Sequence, residues 1–242
     1  MTEKRLLAVF AHPDDETFRP GGTLALLARY GVQVQVLTAT RGQAGSRGHP
    51  PLCSPQDLPV VRERELRCAC TALGILPPIL LDYQDGHLTE VDPNEVIEQI
   101  IRVAETVRPQ VLLTFGPDGL SGHPDHILIG QLVKNVFDRM TQVVALYTVA
   151  VPQSLVVRLG MPQIRAVPDE SITLTVDVSA AWDAKLAAVR CHRTQLGESP
   201  ILQAPEEKQR LFLGKEYFRR AQGRSCTDFF LEIFSSIEGN TE

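Results

Sequence analysis

The chain has 242 residues, 43% hydrophobic and 22% charged, with a formal net charge of −5. This ordinary globular balance suits one large α/β domain over 1–242, and it lacks both the apolar length of a membrane span and the basic stripe of a nucleic-acid binder. The five cysteines (Cys53, Cys68, Cys70, Cys191, Cys226) are odd in number and form no regular disulfide framework, so free thiols in a reducing cytoplasm are expected.

The apolar run Leu6–Phe10 is too short for a signal-peptide core and predicts a buried strand, apolar on both faces. It enters the polar loop AHPDDETFRPGG, after which Thr23–Tyr30 predicts a helix and Val32–Ala39 a second strand. Arg41–Pro59, rich in Gly, Pro and Ser, is expected to be a long surface loop. Val60–Leu73 predicts a helix closed by Gly74, Ile79–Leu81 a third strand, and Pro93–Val107 a helix. Val111–Phe115 predicts a fourth strand, followed by the loop GPDGLSG, a helix over His126–Met140 and a strand at Val143–Val149. Beyond these, Ser171–Val176 alternates like a strand, and Ala180–Arg193 predicts a helix with Ser179 as its cap. Pro205–Gln222 predicts a charged surface helix, and Thr227–Phe234 a closing strand. The alternation through the first 150 residues predicts an α/β fold, a Rossmann-like doubly wound, mostly parallel sheet with helices on both faces.

In such sheets, ligands bind at the carboxyl ends of the strands. The loops after the first and fourth strands each carry a His-Pro-Asp tripeptide, one with His12, Asp14, Asp15 and Glu16, the other with His123, Asp125 and His126. Imidazole and carboxylate suit zinc, and a catalytic site commonly takes three protein ligands and a water whose pKa the metal lowers. His12 and Asp15 can be aimed at a common point by one turn, and His126 completes a triad. Asp14 and His123 are then left beside the metal, one to act as general base and the other as an acid or electrophilic partner. A site of this kind also binds iron or another divalent ion.

These residues resemble the LmbE-like, or PIG-L, deacetylase family, which acts on substrates containing N-acetylglucosamine. AHPDDE with the following GGTLA carries the resemblance most specifically. TRGQAG at 40–45, RERELRCACTALG at 62–74, YQDGHL at 83–88, GHPDH at 122–126 and KLAAVRCHRTQ at 185–195 follow in order. The resemblance implies zinc ligands at His12, Asp15 and His126, with Asp14 as general base. His123 would stabilise the oxyanion or protonate the leaving amine, with Asp125 orienting it. It also implies that Arg62 holds sugar hydroxyls, with Asp85 in a loop on the same side. His192, in the late motif, either reaches the pocket or packs its helix on the sheet. The implied reaction is hydrolysis of an acetamide on a small amino sugar, by a protein that assembles as a homo-oligomer.

The sequence departs from the family at Gln43, where Glu is frequent, at Arg19, where Gly is frequent, and at Ser121, where some relatives place Tyr. Arg19 is expected to be a solvated loop residue. Cys68 and Cys70 lie two apart on one predicted helix, where packing explains them better than metal binding. Two rival readings are a metal-dependent hydrolase of another small amide and a sugar-binding module that keeps the fold without turnover. The intact Asp14 and ligand set argue against the second.

Overall fold

The computed structural model describes residues 3–198, 201–225 and 228–238. Its elements, in chain order, are β1 (Arg5–Phe10), α1 (Asp15–Phe18), α2 (Gly21–Arg29), β2 (Gln33–Thr40), α3 (Leu58–Leu73), β3 (Ile79–Tyr83), α4 (Pro93–Val107) and β4 (Val111–Phe115). They continue with α5 (Pro124–Arg139), β5 (Ala145–Ala150), α6 (Gln153–Leu159), β6 (Leu174–Asp177), α7 (Trp182–Cys191), α8 (Glu206–Leu213), β7 (Lys215–Gly223) and α9 (Phe229–Glu238).

The strands form one sheet in the order β3-β2-β1-β4-β5-β7-β6. The first five are parallel, and β7 runs antiparallel to both of its neighbours. Strands β1 and β4, far apart in sequence, lie side by side with Leu6 opposite Val111. The strand order reverses between them, so the loops leaving their carboxyl ends flank the topological switch point. Both strands are buried throughout except for Arg5 at the start of β1, which is what near-continuous apolar runs require of central parallel strands.

The helices cover the sheet through amphipathic faces. In α4, Val96, Ile97, Ile100 and Ala104 are buried at helical spacing, Asp92 accepts from the Asn94 N–H at its start, and Pro93 fills the first turn. Gly74 closes α3 at φ 71°, as the sequence predicts. Among the described residues, no helix is long and apolar enough to cross a membrane.

Several expectations need correction. The segment 205–222 is a helix, α8, followed by a strand, β7, inserted between β5 and β6. The closing segment is a helix, α9, and not a strand; Thr227 itself lies outside the described residues. Ser179 opens a short 3-10 turn, and α7 starts after Ala181 without a side-chain cap. Helix α6 carried no signal recognised in the sequence. The cysteines also differ from expectation: Cys68 on α3 and Cys191 on α7 are joined by a disulfide. The two helices pack side by side and bring these Cα atoms to 5.7 Å, inside the range a disulfide spans. Cys53 and Cys70 are free, and Cys226 lies outside the described residues.

Candidate active site

Beyond β1 the chain turns sharply, and Asp14 takes φ 113° and ψ −27° as the residue preceding α1. That turn points Asp15 back at His12, whose backbone N–H donates to Asp15 Oδ2 at 2.8 Å. Beyond β4, the second His-Pro-Asp marks a helix start. His123 is the N-cap, its Nδ1 accepting from the Asp125 N–H at 3.2 Å, and Pro124 occupies the first helical position, where its missing N–H costs nothing. His126 follows in the first turn, its ring stacked on Phe115 at the end of β4 with centroids 4.1 Å apart.

The adjacency of β1 and β4 makes the two loops one site. His12 Nδ1 lies 3.1 Å from His126 Nε2 and 3.7 Å from Asp15 Oδ2, and His126 Nε2 lies 3.3 Å from Asp15 Oδ1. Three donor atoms therefore converge as the ligands of a tetrahedral ion would. The opposite ring nitrogens are engaged behind them. His12 Nε2 faces Asp85 Oδ1 at 2.9 Å and Asp125 Oδ2 at 3.2 Å, while His126 Nδ1 faces the Gly119 carbonyl at 3.1 Å. With the ring hydrogens on these acceptors, His12 Nδ1 and His126 Nε2 are left to ligate a metal, as in metal-binding histidines whose other nitrogen is hydrogen-bonded.

Three carboxylates, Asp15, Asp85 and Asp125, face the His12 ring. Burial works against charge on His12, but hydrogen bonds to Asp125 and Asp85 and the charge of Asp15 outweigh it and raise its pKa from 6.5 to about 10. Burial pushes His126 down to about 4, helped by the charge on His12. Asp14 and Asp15 are each raised to about 6, mainly by burial; Arg62 opposes the rise at Asp14 and His12 opposes it at Asp15. Carboxylates that favour a proton on one imidazole also favour a dication between His12, Asp15 and His126. The donor set fits such an ion.

A cleft of about 300 Å³ opens over these atoms, lined by the three proposed ligands together with Asp14, Arg62, Asp85, His123 and Gln195 and the backbone of Ala44, Gly45 and Gly86. The expected surface loop after β2 thus forms part of the cleft wall. His123 comes within reach of His12 and His126, their ligand atoms all within 4.8 Å of one another, but its Nδ1 serves the helix cap, which leaves Nε2 as its donor. A second grouping, His12 with Asp85 and Asp125, is the back face of the His12 ring.

Arg62 lines the cleft, but its side chain is only 3% exposed and both terminal nitrogens are engaged, while Nε has no partner among the described residues. Nη1 donates to the Gly42 carbonyl at 2.8 Å, and Nη2 to the Pro13 carbonyl and, at 3.2 Å, to Asp14 Oδ2. A Cβ at Gly42 or Gly45 would collide with the guanidinium, so the glycines of TRGQAG make room for it; Gly42 also needs its φ of 66°. Asp85 lines the cleft as well, with one oxygen on His12 and the other accepting from the Ala44 N–H at 3.0 Å.

Three assignments change. Asp125 does not orient His123 through its carboxylate, which instead accepts from the Gly86 N–H at 2.8 Å and from His12 Nε2. His192 does not reach the cleft. It is fully buried, with Nε2 2.7 Å from Glu16 Oε1, because the turn after α7 packs beneath α1. Arg19 is not solvated but 6% exposed, its guanidinium 3.7 Å from the centre of the Phe212 ring, and burial lowers its pKa to about 10. Gln195, in the late motif, is a cleft residue to which the sequence reading gave no role; its amide donates to the Ser46 carbonyl at 2.9 Å.

The model of the family described as GlcNAc-PI de-N-acetylase, PIG-L, matches residues 7–137. Among curated relatives, the 1D-myo-inositol 2-acetamido-2-deoxy-alpha-D-glucopyranoside deacetylase of Acidothermus cellulolyticus is 30% identical, over 91% of this chain and 89% of that protein. The probable N-acetyl-alpha-D-glucosaminyl L-malate deacetylase 2 of Bacillus cereus is 32% identical, over 80% of this chain and 84% of that protein. Among solved structures, the N,N'-diacetylchitobiose deacetylase of Pyrococcus horikoshii superposes with a TM-score of 0.67 at 20% identity, covering 90% of this chain and 84% of that one, and so shares the fold. With its motifs gathered around one cleft and its relatives matched along most of their length, this chain belongs to the PIG-L, or LmbE-like, family.

Proposed function

We propose that the chain is a zinc-dependent deacetylase that hydrolyses the acetamide of an N-acetylglucosamine-type sugar or conjugate. The observation that carries this reading is the convergence of His12 Nδ1, Asp15 and His126 Nε2, with the opposite ring nitrogens facing Asp85 and the Gly119 carbonyl. His12, Asp15 and His126 would hold a divalent ion, which would supply polarisation of the amide carbonyl and a lowered pKa for water.

The protein's own groups divide the remaining work. Asp14, beside Asp15 on the cleft, has a pKa of about 6, which suits a group that takes a proton from the attacking water and passes it on. Arg62 fixes its carboxylate. His123 offers Nε2 as donor to the oxygen that gains charge and to the departing nitrogen; a fixed donor of this kind is typically worth roughly 10²–10³ in rate. Asp85 and Asp125 hold the His12 ring. We assign sugar contacts to the cleft-facing parts of Arg62 and Asp85, with Gln195 beside them.

The relatives, as named, act on N-acetylglucosamine joined to inositol or to malate, which supports a conjugate of this sugar as the substrate. The compartment we propose is the cytoplasm, where the thiol pool would hold Cys68 and Cys191 reduced. Counting free thiols in protein alkylated at lysis tests this.

The test of function is release of primary amine from a panel of N-acetylglucosamine conjugates and simple amides by metal-loaded protein. Sugar conjugates should be the best substrates. Asp14→Asn should lower kcat by roughly 10²-fold or more while leaving metal stoichiometry intact. Sugar binding without amine release across the whole panel would instead make the chain a binding module.

A further inference from the structure

Asp14 is a non-glycine residue at φ 113°, a geometry that an L side chain keeps only where its surroundings over-determine it. From one side Arg62 does so, through the Pro13 carbonyl and the Asp14 carboxylate. From the other side the Asp14 backbone N–H donates to Glu16 Oε2 at 2.9 Å. Glu16 is fully buried, and its second oxygen faces His192 Nε2 at 2.7 Å and accepts from the Thr17 hydroxyl.

His192 has no other use in sight. It is fully buried, and among the described residues its Nδ1 has no partner and its side-chain hydrogen-bond contacts all go to Glu16 and Thr17 of α1. A third carboxylate beneath Asp14 and Asp15 would repel both and be costly to bury alone. Pairing with an imidazole removes that repulsion and keeps two acceptor oxygens in place. The imidazole comes from the end of α7, 176 residues away in the chain, yet α7 packs against α3, which carries Arg62, and Glu65 of α3 holds Thr194 just beyond His192. Two elements that grip Asp14 from opposite sides are therefore tied to each other.

We propose that Glu16 and His192 are a positioning pair that holds the Asp14 backbone in its left-handed geometry, so that its carboxylate faces the cleft. The proposal rests on reading Asp14 as the base. Neither member touches the substrate.

The experiment compares metal-loaded wild type with His192→Ala and His192→Gln. It measures kcat and KM for amine release, metal stoichiometry, and the Asp14 φ in crystals of wild type and His192→Ala. In His192→Ala, kcat should fall roughly 10- to 100-fold, the scale of a 1 Å misplacement. KM should stay within about threefold, metal content should be unchanged, and Asp14 should leave the left-handed region. His192→Gln, whose amide can still donate to Glu16, should recover most of the rate. An unchanged kcat with Asp14 still at positive φ overturns the proposal, and so does joint loss of metal and of substrate affinity, which marks general collapse of the site. Should His192→Ala not fold, Glu16→Gln carries the same measurements, with the same fall in kcat expected and the same results overturning. Should wild type release no amine from any substrate, the functional reading alone fails, and the Asp14 φ in the variant still decides the role of the pair.

Discussion

At Asp125 the carboxylate turns away from His123 and lies 3.2 Å from His12 Nε2, beside Asp85 at 2.9 Å. Asp125 is fully buried, and its Oδ1 has no partner, so the residue is kept at a cost in desolvation that its hold on His12 explains. Asp125→Ala should therefore weaken metal binding by roughly 10- to 100-fold without removing a ligand, as read by chelator competition. An unchanged affinity would show that Asp85 alone sets the ring. The meeting of His12, Asp15 and His126 was legible in the sequence because each tripeptide directly follows a central parallel strand, and those two strands are neighbours. The partner of Asp125 was not. Its neighbours in the chain are His123 and His126, but the residue it serves is 113 positions away. Arg19 was misread for a similar reason, since Phe212, the ring that covers it, comes from α8.

Among the elements, β7 was the hardest to foresee. Lys215, Glu216, Arg219 and Arg220 give Lys215–Gly223 the charge density of a surface helix, yet Glu216 and Phe218 alternate into the core. What makes the strand tolerable between β5 and β6 lies elsewhere. The Glu216 carboxylate accepts the Gly22 and Thr23 N–H groups at the start of α2, at 2.8 and 2.7 Å, and pairs with Lys185 Nζ at 2.6 Å. It thus satisfies a helix N-terminus and a fully buried ammonium together. Burial pushes the Lys185 pKa down, with Glu216 opposing. Removing the acid strands that ammonium, so Glu216→Gln should cost about 3–5 kcal/mol in denaturant unfolding. Glu216→Leu combined with Lys185→Met should recover part of the loss; no recovery would locate the cost at the α2 N-terminus instead. The parallel half of the sheet was legible because each strand is a short apolar run flanked by turn residues. This buried pair was not, because its two members announce themselves separately as surface charges.

Across the whole molecule, the strand order 3-2-1-4-5 puts the two motif loops at one switch point, and Arg62 of α3 and Gln195 beyond α7 line the cleft over them. The disulfide spans 123 residues between those helices and encloses β3, β4 and β5 with the second His-Pro-Asp motif, while β1, β2 and the first motif precede it. A crosslink over so long a loop restricts the unfolded chain strongly. The chain-entropy account gives about 4–5 kcal/mol for a loop near 100 residues, with native bonds typically worth about 2–5 kcal/mol. Reduction should therefore lower the melting temperature of the oxidised protein by several degrees, and Cys68→Ser should melt lower from the start and ignore reductant. The bond was illegible in the sequence because Cys68 and Cys191 have no shared motif, and only the packing of α3 on α7 pairs them. The same packing supports the active site through Glu65 on α3, which accepts from the Thr194 N–H at 2.8 Å and its hydroxyl at 2.6 Å, just before cleft-lining Gln195. With Glu65 still pinning Thr194, reduction should leave kcat of the folded enzyme within about twofold at temperatures well below the transition. A loss of turnover that runs ahead of unfolding would instead make the Cys68–Cys191 bond a control point on the site.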